Sequence, residues 1–144
     1  MTSLGFDLLD LHVVRGRGDD IAWSDDTGTH TFAQLLERAA ALAGGLRAVG
    51  VSPGDEVTVE VTTGRLQVEV VLACIRLGAV PGDRGDVRVV EDGSDVTVHG
   101  EEEYDLSLVV SAGRTDPAAA LPADPPEYRA LVLEKWPMLN AFAE

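Results

Sequence analysis

The chain predicts a layered α/β fold, with a mostly parallel sheet flanked by helices and a small antiparallel hairpin extension. Three observations carry this prediction. Phe32, Leu35, Leu36, Ala39, Leu42, Ala43, Leu46 and Val49 recur at three and four residues, the period of an amphipathic helix. Val57-Thr58-Val59-Glu60-Val61 alternates like a strand, and a second apolar helix and Ala79-Val80 follow it. That helix, strand, helix, strand order favours parallel strands with right-handed crossovers and helices on both faces. The third is a pair of β-prone runs, Asp86 to Glu91 and Asp95 to His99, around the turn Asp92-Gly93-Ser94.

Each element has a local cause. Phe6, Leu8, Leu9, Leu11, Val13 and Val14 suit a short amphipathic helix over residues 6–15, ending at Gly16-Arg17-Gly18. Ile21-Ala22-Trp23 and His30-Thr31-Phe32 flank Asp25-Asp26-Thr27-Gly28, a hairpin signal. Thr31 suits the N-cap of the first long helix, since its hydroxyl can accept from free backbone N–H groups. Gly50 supplies the left-handed stop, and Ser52-Pro53-Gly54-Asp55 turns the chain into the strand. The second helix, about Arg65 to Leu77, is apolar around most of its circumference. Glu101-Glu102-Glu103 reads as a solvated turn or helix start, and Leu106 to Val110 as another buried strand. Thr115 to Pro126, rich in Ala and Pro, is a linker, and Tyr128 to Phe142 a helix interrupted at Pro137. Residues 1–114 thus form one α/β domain, with 115–144 a loop and terminal segment packing on it.

At 144 residues the chain needs neither disulfide nor metal to bury a core. Cys74 is the single cysteine and lies in the apolar second helix, where a core role is expected. No basic-plus-apolar leader opens the sequence, and no apolar run approaches the ~20 residues of a membrane helix. A soluble cytoplasmic protein is expected, with no membrane partner. The net charge is −14, from 11 basic and 25 acidic residues. Such a field repels nucleic acid and disfavours long phosphate ligands such as ATP or CoA. Ten of the eleven basic residues are Arg, a bias that suits a GC-rich genome.

Thr31-Phe32, Gly54-Asp55 and Arg76-Leu77-Gly78-Ala79-Val80-Pro81 occur in an order that resembles a known family. Residues 21–82 look like the N-terminal subdomain of the AMP-forming acyl-CoA synthetase, adenylation-domain and luciferase superfamily. One departure is clear: the family often opens the second helix with Asn-Ser-x-Glu, where this chain has Thr63-Gly64-Arg65-Leu66. Leu106-Ser107-Leu108, Leu121-Pro122 and Tyr128 are similar to short actinobacterial proteins in which this subdomain carries a divergent tail. The resemblance implies the family's fold but no catalytic residue. The superfamily holds ATP phosphates with a Ser/Thr/Gly-rich loop ending in Pro-Lys, which this sequence lacks, because the leaving pyrophosphate must be met by N–H groups and cations. No cofactor and no catalytic site are therefore assigned.

Other motifs reduce to structure. Gly16-Arg17-Gly18 lacks the third glycine of a dinucleotide loop, having Ile21 there. Arg17-Gly18-Asp19 and Arg84-Gly85-Asp86 read as turn punctuation. His12, His30 and His99 show no metal-ligand spacing, so no metal site is assigned. Glu101-Glu102-Glu103 with Asp105 reads as a solvated charge run, and Ser111-Ala112-Gly113 lacks the flanks of a nucleophile elbow.

Three functional readings follow. The preferred one is a non-catalytic, stand-alone relative of the subdomain, an interaction or regulatory protein that forms a homo-oligomer or binds a protein partner. The alternatives are one half of a split acyl- or amino-acid-adenylating enzyme, and a small-ligand binding module. The candidate pocket for a ligand comprises Thr62, Thr63, Gly64 and Pro81, at the strand ends. The candidate partner contacts are Trp136, Met138, Leu139 and Phe142, unless they pack within the chain.

Overall fold

The computed structural model describes residues 2–26 and 28–142. Its first regular element runs from a single π-type turn, Phe6–Asp10, into α1, Leu11–Val14. The hairpin strands β1 (Ile21–Asp25) and β2 (Gly28–Thr31) then pair antiparallel. Thr31 closes a capping box on α2 (Phe32–Val49): its hydroxyl accepts from Gln34 N at 3.1 Å, and Gln34 Oε1 accepts from Thr31 N at 2.9 Å. The helix stops at Gly50, whose φ of 120° lies in the region only glycine enters readily.

The main sheet holds β3 (Glu56–Glu60), β4 (Val80–Gly82), β5 (Val87–Asp92), β6 (Asp95–His99) and β7 (Glu103–Asp105), in the order β4-β3-β5-β6-β7. Strand β3 runs parallel to β4 and to β5, and α3 (Gly64–Arg76) makes the crossover between β3 and β4. The predicted hairpin appends β6 antiparallel to β5, and β7 continues it.

Register puts Val57, Val59, Val87, Val89, Val96 and Val98 on one sheet face, where they meet a core of α2 and α3 residues. The other face carries Thr58, Glu60, Arg88, Thr97 and His99, with Glu60 and Arg88 bridged at 3.0 Å and each 45% exposed. This corrects the expectation of helices on both faces. A parallel sheet covered twice reads as continuous apolar strands, whereas Val-Thr-Val-Glu-Val alternates because one side meets water.

A second correction concerns residues 106–110, expected as a strand. They begin helix α4, Leu106–Thr115. Leu106, Val109, Val110 and Gly113 are its buried residues, spaced for one helical face. A short β-branched apolar run is ambiguous alone, and tertiary contact decided it. Helix α4 lies backbone-close on α2: a Cβ on Gly113 would fall 1.6 Å from Ala41 O, and one on Gly45 2.1 Å from Val109 O.

The C-terminal part is a short helix, α5 (Tyr128–Lys135), and a 3₁₀ turn, Pro137–Phe142. Tyr128, Val132, Leu139 and Phe142 are buried with Leu4, Leu8, Leu9, Phe32, Leu35, Val68, Val71, Leu72 and Ile75 in a second core. Two buried polar side chains, Arg76 and His12, reach across elements. Arg76, 3% exposed, grips Asp10 with both terminal nitrogens and donates Nε–H to Ala118 O at 3.0 Å. His12 stacks on Phe32 with ring centroids 4.1 Å apart. Its Nε2 lies 2.6 Å from Phe142 O, so that nitrogen carries the proton.

Candidate functional site

The carboxyl end of β3 leads through Thr62 and Thr63 into the N-terminus of α3, where a parallel α/β sheet usually presents its ligand site. The first N–H groups of a helix have no partner inside the helix and attract an anion. Here the chain supplies that anion itself. Glu91, on β5, accepts from Thr62 N at 2.9 Å, Thr63 N at 3.0 Å and the Thr62 hydroxyl at 3.2 Å, all on Oε1. The Thr63 hydroxyl donates to its other oxygen. These bonds, the Thr63 hydroxyl foremost, pull the Glu91 carboxyl down to about 2.

Beside this contact lies a cleft of about 340 Å³ lined by Trp23, Asp25, Asp26, Thr63 and Gly64. The Trp23 indole donates to Asp25 Oδ2 at 3.1 Å. A Cβ on Gly64 would sit 3.4 Å from that same oxygen, an ordinary contact, so Gly64 and the Asp25 side chain face each other across the cleft. A phosphate entering here would meet three carboxylates, one of them already holding the Thr62 and Thr63 donors that lead into the helix. An aromatic face with acidic neighbours suits a cationic or neutral group instead.

The structure divides the candidate pocket. Thr62, Thr63 and Gly64 share this place, but Pro81 pairs with Val57 near the start of β3, about 15 Å back along the strand. Its carbonyl accepts from the Trp136 indole at 2.8 Å. Pro81 therefore leaves the pocket, because β4 ends at Gly82, opposite Thr58. The candidate partner contacts also change character. Leu139 and Phe142 are fully buried in the chain's own second core, with Trp136 and Met138 packed against it. Leu139 and Phe142 cannot meet a partner without leaving that core.

Sequence reasoning missed Glu91. The available signal was parity: Glu91 shares a sheet face with Val87 and Val89, so a carboxylate there needs nearby donors. Cys74 behaves as expected, fully buried with its thiol pushed up to about 12 by burial. Among the described residues no three His, Cys, Asp or Glu side chains gather at metal-ligand distance. Among them, no helix is long and apolar enough to cross a membrane.

The capped α2, the β3–α3–β4 crossover and the sheet order together define a layered α/β module, and its fold matches that of adenylating enzymes. A solved structure agrees: a fatty acid AMP ligase from Legionella pneumophila superposes with a TM-score of 0.50 at 25% identity, over 56% of this chain and 14% of that one. Residues 11–81 match the family model described as AMP-binding enzyme. Acetyl-coenzyme A synthetase of Deinococcus radiodurans is 37% identical over 84 residues, 55% of this chain and 13% of that protein. Feruloyl-CoA synthase of Amycolatopsis is 34% identical over 92 residues, 58% of this chain and 19% of that protein. Over residues 11–81 the chain thus matches the AMP-binding enzyme family and corresponds to an N-terminal portion of the AMP-forming superfamily. It spans 13% and 19% of the length of these two relatives.

Proposed function

We propose that this chain is a non-catalytic, self-contained relative of the AMP-forming synthetases that acts as an interaction or regulatory protein. The observation that carries the reading is the Glu91 carboxylate seated on the N-terminus of α3, with Asp25 and Asp26 lining the cleft beside it. An ATP phosphate would have to displace a well-held anion and then lie among others of the same sign. The parts outside the family match support the same reading. Helix α4 covers α2, and Tyr128 and Trp136 cover the free edge of β4. The test is ATP–pyrophosphate exchange with short-chain, aromatic and amino acids, beside equilibrium dialysis with Mg·ATP. Neither exchange nor ATP binding is expected, and either one would overturn the proposal.

A second reading, one half of a split adenylating enzyme, is favoured by the small share of its relatives' length that the chain spans. It requires a separate chain carrying the phosphate loop. Mixing the two should then restore exchange that neither shows alone.

A further inference from the structure

We infer that the C-terminal arm, residues 124–142, exchanges between two copies of this chain to form a domain-swapped dimer. The inference deepens the interaction-protein reading by naming a second copy as the partner, and it rests on that reading.

The arm is a separable element. Its anchors are the side chains of the second core, with Tyr128 donating to Ala79 O, Trp136 to Pro81 O and Arg129 to Asp7 at 2.6 Å. His12 holds Phe142 O, and Leu4 N donates to Asp124 Oδ2 at 2.8 Å. Every one of these partners belongs to the body of the domain, so the same bonds form when the arm arrives from another copy. No new surface has to be complementary, which makes exchange a low-cost route to a dimer.

The hinge is equally distinct. Ala118 is fixed to the body through Ala118 N to Ala40 O and the Arg76 guanidinium to Ala118 O, both at 3.0 Å. From Ala119 to Ala123 no main-chain hydrogen bond is formed among the described residues. Five residues of extended chain reach about 17 Å. Pro122, with Pro125 and Pro126 beyond, stiffens this stretch towards an extended course, and the Leu121 side chain rests on the body at Gly78.

The test refolds the full chain at low and at high concentration and reads mass by light scattering. A dimer that forms at high concentration, survives dilution and exchanges labelled subunits over hours is expected, because the arm must leave its core to exchange. Removing Ala119 to Ala123 should convert the population to dimer, since the arm can no longer return to its own body. A chain that refolds as monomer at every concentration overturns the inference. So does a folded monomer of the shortened chain, or a dimer exchanging within seconds. None of these results depends on nucleotide chemistry, so ATP–pyrophosphate exchange judges the proposed function separately.

Discussion

The Trp136 indole N–H reaches the Pro81 carbonyl at 2.8 Å, and eight residues earlier the Tyr128 hydroxyl reaches Ala79 O. Val80 turns inward, donating to Asp55 O at 2.8 Å, so Ala79 and Pro81 carry the outward carbonyls of this edge strand. Pro81 has no N–H to leave unpaired. Two aromatic side chains, one opening α5 and one just past its end, therefore finish an edge that otherwise invites another strand.

Tyr128→Phe and Trp136→Phe should each cost about 1–2 kcal/mol, chiefly from leaving a covered carbonyl unpaired. Urea unfolding checks this, and a change below a few tenths of a kcal/mol for both would mean that water replaces the donors. Burial raises the Tyr128 phenol, so it should stay protonated in the folded protein well above pH 10, visible as a tyrosinate absorbance step from Tyr104 alone, half that of the unfolded chain.

Gly113 is the tightest point between α2 and α4. Gly113→Ala should destabilise by about 3 kcal/mol or more, because the added methyl meets backbone at Ala41 and no rotamer can relieve it. Ser111→Ala, on the exposed side of the same helix, should change stability by under about 0.5 kcal/mol. Thermal unfolding of the two variants gives the contrast.

Asp10→Ala should cost about 3–5 kcal/mol, since it leaves the Arg76 guanidinium buried and unpaired. The double variant Asp10→Leu with Arg76→Met removes both charges and should recover much of that loss. A double variant no better than the single would show that the pair acts through packing alone.

Glu91 has a folded pKa below its unfolded value, so its contribution is complete above about pH 4.5 and fades as pH falls towards about 2. Glu91→Gln should flatten that part of the stability–pH curve, measured by chemical unfolding between pH 2 and 6. In the wild type the Glu91 carboxyl resonance should titrate last among the glutamates. A midpoint near 4.5 would mean the Thr62 and Thr63 donors are not engaged in solution.

The helix of residues 32–49 was legible because its period, N-cap and terminal glycine agree, and Thr31 and Gly50 bound it as local chemistry dictates. The 86–99 hairpin was legible for the same reason, with Asp92-Gly93-Ser94 between two β-prone runs. Residues 106–110 were not, because Leu-Ser-Leu-Val-Val satisfies strand and helix alike until Gly113 meets Ala41. Strand-end logic grouped Pro81 with Thr62, Thr63 and Gly64, but the structure leaves those three together at the end of β3 and sets Pro81 opposite Val57, near its start. Glu91 went unread because its partners lie 28 and 29 residues away.

The sequence by itself determined the elements whose causes are local: caps, turns, helical period and the alternation of β3. It also carried the likeness to the AMP-binding enzymes, since that likeness is an order of such local signals. Only the tertiary structure decided that α4 is a helix, that Glu91 binds the Thr62 and Thr63 donors leading into α3, and that the C-terminal arm closes the β4 edge. Each of these joins groups distant along the chain, and their energies exist only once the sheet and helices have brought those groups within hydrogen-bonding or contact distance.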